Sequence, residues 1–158
     1  MNIQERIEAL ETEFNEKIKA LKAEVQREDE FPQEGDSFYS ISETGNIEGG
    51  MIWGGYPVDM NRMAIGNVFK TEQQAEFVVE KLKVEAELRK FSRPFVDGEW
   101  NNHIKYSQRF DELSISTSLV YQTQGVIYFE SGEKARQAIK SVGEERIKKY
   151  IFGVEELK

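Results

Sequence analysis

Apolar residues in the first thirty positions recur at Ile3, Ile7, Leu10, Phe14, Ile18, Leu21 and Val25, at steps of four, three, four, four, three and four. That spacing draws a narrow stripe along one α-helix, of coiled-coil type, with one long step at Phe14 where a supercoil would relax. Glu, Lys, Gln and Ala fill the remaining positions, and all are good helix formers. So thin a stripe cannot be buried by the helix alone. It packs either against its own domain or against another copy of the chain. The acidic run Glu28-Asp29-Glu30 and the segment Phe31-Pro32-Gln33-Glu34-Gly35 favour the second, because they read as a linker that sets the helix apart. The expectation is an oligomerisation helix at 1–30, a linker at 31–36 and a domain at 37–158.

Beyond the linker the hydrophobic period changes. Ser37 to Ile41 predicts a strand, Ser42 to Asn46 a turn, and Ile47 to Trp53 a second strand weakened by Gly49 and Gly50. The run Gly54-Gly55-Tyr56-Pro57 reads as a glycine-rich loop leading to a short strand at Val68-Phe69. Thr71 then caps a helix, with Gln74 completing a capping box. Ala75, Val78, Val79, Leu82, Ala86 and Leu88 give that helix a broad apolar face, and Pro94 ends it. Further strands are expected at Ile104–Gln108, Leu113–Thr117 and Val126–Phe129. A last helix follows Ser131, carries Ala135, Ala138, Ile139 and Val142, and is interrupted at Gly143 before helical turns over Arg146–Phe152.

Phe69-Lys70-Thr71 with Ala75 aligns with Phe129-Glu130-Ser131 with Ala135 at a constant offset of 60. In each, an aromatic ends a strand, a hydroxyl caps a helix, and a small alanine lets that helix approach a sheet. Two strand-to-helix junctions that converged on one solution would look like this, and so would a duplicated β-β-β-α unit over 37–94 and 95–158. The predicted fold class is α+β: a leading coiled-coil-like helix, then an antiparallel sheet with two helices on one face.

Composition narrows the chemistry. The 158 residues carry no Cys, so disulfides, thiolate metal sites and Cys nucleophiles are excluded. The net charge of −8 is spread over the first two thirds of the chain, which disfavours a protein that grips phosphate backbones. The locally basic Arg146-Ile147-Lys148-Lys149 reads as a solvated helix face more readily than as a phosphate contact. No calcium loop and no phosphate-binding Gly-x-x-x-x-Gly-Lys is present, and neither a membrane span nor a secretion signal is expected. His103, the single histidine, sits before a predicted strand and fits an edge or capping role better than catalysis. Gly54-Gly55 precedes no predicted helix and so makes a poor phosphate cradle. The reading is non-enzymatic, with no catalytic residue, metal or cofactor.

Two segments are richer in binding-type residues. Trp53, Tyr56, Asp59, Arg62 and Asn67 form one set, and Trp100, Asn101, Asn102, His103 and Tyr106 the other. Trp and Tyr join large apolar area to a polar tip, the composition of a contact surface for a protein epitope or a nucleotide base. The alternative is that Trp53 and Trp100 fill the core while Asp59 and Arg62 form a loop-fixing ion pair.

Trp53, Asp59, Arg62, the run Gly66 to Thr71, Ala75-Glu76-Phe77, Glu80 to Val84 and Glu87-Leu88 form a pattern. With Ile127 to Ser131 and the tail Gly143 to Val154, it resembles a family of small proteins encoded by phages and prophages of Gram-positive bacteria, over residues 37–154. The resemblance carries no catalytic residues. It implies an accessory protein made in the bacterial host cytoplasm. The expected function is binding and neutralising an anti-phage defence component, either as a CRISPR nuclease inhibitor or as a sponge for a nucleotide immune signal. The partners would be a second copy of the chain and that host protein or nucleotide, without membrane or direct nucleic-acid binding. A scaffold role in phage replication or assembly is the alternative.

Overall fold

The computed structural model describes residues 2–155, with side chains at 26–29 left aside. It is an α+β structure that divides into two compact units, residues 1–75 and 76–158, with the boundary inside a helix. No helix among the described residues is long and apolar enough to cross a membrane.

In the first unit, α1 (Ile3–Asp29) starts from a reciprocal cap. Asn2 Oδ1 accepts the Glu5 N–H at 2.8 Å, while Glu5 Oε2 accepts the Asn2 N–H at 2.7 Å. The strands β1 (Ser37–Ile41) and β2 (Ile47–Ile52) form an antiparallel hairpin with an irregularity between Phe38 and Ser40. Glycine does not break β2. A Cβ on Gly49 would lie 2.6 Å from the Tyr39 ring, so the missing side chain is the space that ring occupies. The segment expected as a linker is tied to this hairpin: Gly35 N–H donates to Trp53 C=O at 2.9 Å and Trp53 N–H to Asp36 C=O at 2.8 Å. The short strand expected at Val68-Phe69 is a single bridge, in which Tyr39 and Phe69 exchange two backbone hydrogen bonds of 2.9 Å.

Where a loop was expected after Tyr56, the chain forms α2 (Pro57–Ala64). Pro57 is the cue: at the first helical position its missing N–H costs nothing and its fixed φ suits the helix. Then α3 (Glu72–Arg89) begins with the expected Thr71–Gln74 capping box, Gln74 N–H to Thr71 Oγ1 and Thr71 N–H to Gln74 Oε1, each 3.3 Å. Its apolar face differs from the expected one. Ala75, Val84 and Leu88 are buried, whereas Leu82 and Ala86 face solvent.

In the second unit, β3 (Asn101–Ser107) and β4 (Glu112–Ser118) pair antiparallel, with Ile104 opposite Ile115 and Tyr106 opposite Leu113. The period of two places these four on one face. His103 lies within β3, not before it. The strand expected over Val126–Phe129 is again one bridge, Phe129 to Asn102, with hydrogen bonds of 2.8 and 3.1 Å. Ser131 caps α4 (Gly132–Val142), and Gly143, at φ +99°, turns the chain into α5 (Glu144–Phe152). Helix α4 lies against β3 and α5 against α4. The core of this unit joins Val84, Leu88, Phe129, Ala135, Ala138, Val142 and Ile147. Burying its Val, Leu, Ile and Phe side chains contributes roughly 1.5–3 kcal/mol each.

The basic stretch at 146–149 is a solvated face only at Lys149, while Arg146 is half-buried and Lys148 buried. Arg146 makes a two-pronged pair with Glu87, at 3.0 and 3.1 Å, which holds α5 to α3 and keeps the Glu87 carboxyl below its usual pKa. Lys148 is buried, donating to Asp111 C=O at 2.7 Å with Asp111, Glu144 and Glu145 carboxylates around it.

Candidate binding surface

The expected site residues divide into those that build the units and those that face outward. In the first unit, Trp53 is buried, its ring edge-on to Phe38 at 6.0 Å. Asn67 is committed to the backbone: its Oδ1 accepts the Ile41 N–H at 2.6 Å and its Nδ2 donates to the Ile41 C=O at 2.8 Å. Asp59 is the buried residue of α2 and accepts the N–H groups of Gly54 and Tyr56 at 3.2 and 3.3 Å, with Arg62 at 3.6 Å. Gly54-Gly55 therefore does precede a helix, contrary to the sequence reading. Yet the protein's own carboxylate already takes those amides, which leaves no empty anion cradle. Helix α2 is thus polar inside and apolar outside, since Val58, Met60 and Met63 face solvent together with Tyr56.

In the second unit, Asn101 is a structural hub. Its Oδ1 accepts from Val96 N–H at 2.8 Å and Arg93 Nη1 at 3.0 Å. Its Nδ2 donates to the carbonyls of Glu99, Val96 and Ser118 at 2.7, 2.8 and 3.1 Å. Such a buried amide holds the loop 93–100 against the end of β4. The Gly98 N–H adds a bond to Leu119 C=O at 2.9 Å, and Ser118 Oγ donates to Tyr121 C=O at 2.7 Å. Two loops are thereby fixed side by side. They carry Val96, Trp100, Leu119, Val120 and Tyr121, all exposed, Trp100 at 64% and Tyr121 at 82%. Exposed apolar clusters on a rigid frame mark contact sites. Of these residues the sequence reading named Trp100 alone. The signal for Leu119, Val120 and Tyr121 was the apolar run they form between a strand and Gly125, where a loop should be polar; Val96 had no such signal.

His103 and Tyr106 face the other residues of this unit. The His103 ring is edge-on to Tyr128 at 5.7 Å, and its buried Nδ1 has no hydrogen-bond partner. Burial pulls its pKa below 6.5, and Lys105 adds to the effect. Tyr106 donates to Asp111 Oδ1 at 3.0 Å, and desolvation together with that carboxylate raises the phenol's pKa. Neither residue joins the exposed cluster.

The second unit also holds a cavity of 220 Å³ between Leu88, Ile104, Phe129, Ile147 and Ile151, with Glu85 and Gln124 as polar lining. A phosphorylated ligand would meet a carboxylate there and no cation. Among the described residues no three His, Cys, Asp or Glu side chains gather to hold a metal. Comparison of the chain with known protein families, curated proteins and solved structures finds no match in any of the three.

Proposed function

We propose that the chain is a self-associating, non-enzymatic binding protein that docks on another protein through its exposed aromatic surface. The observation that carries this reading is the state of α1. Ile3, Leu10, Phe14, Leu21 and Val25 are all exposed in the single chain, Ile3 at 77% and Phe14 at 64%. A soluble helix does not leave such a stripe in water when a second copy can cover it. In the phage setting implied by the sequence resemblance, the protein works in the host cytoplasm and its target is a bacterial defence protein such as a CRISPR nuclease. A nucleotide sponge is the weaker form of the proposal, because Trp53, Asn67 and Asn101 are engaged inside the units and the cavity offers phosphate no cation.

The two hairpin–bridge–helix segments are, on this proposal, copies of one β-β-β-α unit with a helix covering one face. Support comes from the matched Tyr39–Phe69 and Asn102–Phe129 bridges, each followed by a hydroxyl residue that binds a helical N–H. The test is size-exclusion chromatography of the chain with a candidate nuclease, alongside the nuclease's cleavage rate. A stoichiometric complex, loss of cleavage, and relief of both by Trp100→Ala/Tyr121→Ala are expected. A nuclease inhibited equally by that double variant would refute the assigned surface. The scaffold alternative also uses α1, and it predicts that α1 variants abolish function while Trp100→Ala does not.

A further inference from the structure

The apolar steps along α1, four-three-four-four-three-four from Ile3 to Val25, read the same in both directions, with Phe14 at the centre. We propose that two copies of α1 pair antiparallel across a two-fold axis at Phe14. This inference deepens the reading of α1 as a self-association helix and rests on it. Reversing one copy about Phe14 sets Ile3 against Val25, Ile7 against Leu21, Leu10 against Ile18, and Phe14 against its mate, so every apolar residue meets an apolar residue. The whole stripe spans 22 residues in six steps. That is about 3.67 residues per turn, close to an untwisted helix, so two nearly straight rods stay in register along their length.

Charge decides the direction independently. On one flank of the stripe the order is Arg6, Glu13, Lys17, Glu24. In the antiparallel pair this flank meets itself reversed, which places Arg6 of one copy by Glu24 of the other, and Glu13 by Lys17. Two-fold symmetry makes each contact twice. Glu13 and Lys17 are already bonded within one helix, Nζ to Oε1 at 2.6 Å. At the axis, the two such pairs would form a four-membered ring of alternating charge, with nothing to rearrange. The opposite flank, Gln4, Glu11, Asn15 and Lys22, meets itself without a like-charge contact. A parallel pair would instead bring opposite flanks together, setting Arg6 beside Glu11 of the other copy but Lys17 beside Lys22, so that one attraction is offset by one repulsion where the antiparallel pair has attractions only. Opposed helix dipoles add to the preference for the antiparallel pair.

The full chain, which has no cysteine of its own, supplies the test. Ile7→Cys and Leu21→Cys variants, one carrying a mass tag, are treated with a short bismaleimide alone and mixed, and their mass is followed by sedimentation equilibrium. The expected result is an even-numbered oligomer, with covalent dimers joining an Ile7→Cys chain to a Leu21→Cys chain in the mixture and few in either variant alone. Self-linking of Ile7→Cys would overturn the antiparallel arrangement, because the two copies of that position in an antiparallel pair lie about 21 Å apart along the axis. A monomer at every concentration would overturn the underlying self-association reading instead. Glu13→Lys and Lys17→Glu give a second measure. Each should associate weakly alone, and the two mixed should associate about tenfold more tightly, a difference of about 1.4 kcal/mol. Equal affinity for the mixture and the single variants would refute the assigned charge contacts.

Discussion

Helices α1 and α4 have apolar residues at the same three- and four-residue steps, yet they end in opposite environments. In α4 those positions are Ala135, Ala138 and Val142, all buried, and the small side chains let the helix approach β3 closely. In α1 they are large, and Ile3, Leu10 and Phe14 stand in solvent. Periodicity marks which side of a helix is apolar. What covers that side depends on whether the rest of the chain brings a surface to it. For α4 it does, through the β3–β4 hairpin and α5. For α1 the proposed cover is a second copy.

The sharpest break of that comparison is one type of truncation made in both places. Ile147→Ala, in the fully buried core of the second unit, should cost about 3 kcal/mol in urea unfolding, because a cavity is left behind. Leu10→Ala should change unfolding of the globular units by less than about 0.5 kcal/mol, and should instead weaken self-association. Equal losses in unfolding would mean that α1 is part of a core after all.

A second contrast lies between neighbours. Asn101→Ala strips partners from Val96, Glu99 and Ser118 and should cost about 2 kcal/mol by the same measurement. Trp100→Ala, one residue away and exposed, should leave stability within about 0.5 kcal/mol while weakening partner binding.

The smallest effect concerns pH. His103 has its folded pKa below 6.5, so the folded state resists the proton that the unfolded chain accepts. Stability contributed by neutral His103 is full above pH 6.5 and declines as pH falls from there towards the folded pKa. In melts from about pH 7.5 down to about pH 5.5, spanning the ordinary histidine range, the native chain should lose more stability than His103→Gln. A parallel decline in both would place the titration elsewhere.

Local features were legible in the residues because they are decided within a few positions. The Thr71–Gln74 box, the cap at Ser131, the stop at Gly143 and the pairing of Asp59 with Arg62 follow from side chains reaching their own turn. The bridges at Phe69 and Phe129 fell where strands were expected, but each is only a single pair, since apolar character is shared by a strand and by a short buried crossing. Helix α2 went unread because its inward residue is Asp59 and its outward ones are apolar, an inverted pattern that defeats periodicity.

From the sequence alone came the stripe of α1, the two capped junctions 60 residues apart, the turns and the absence of thiol chemistry. Tertiary structure decided that Trp53 is core and Trp100 surface, that Asn67 and Asn101 serve the backbone, and that Arg146 and Lys148 are occupied by carboxylates. The physical reason is range. Helix periods and caps depend on neighbours along the chain, whereas burial and ion pairing depend on which distant segment folding brings alongside.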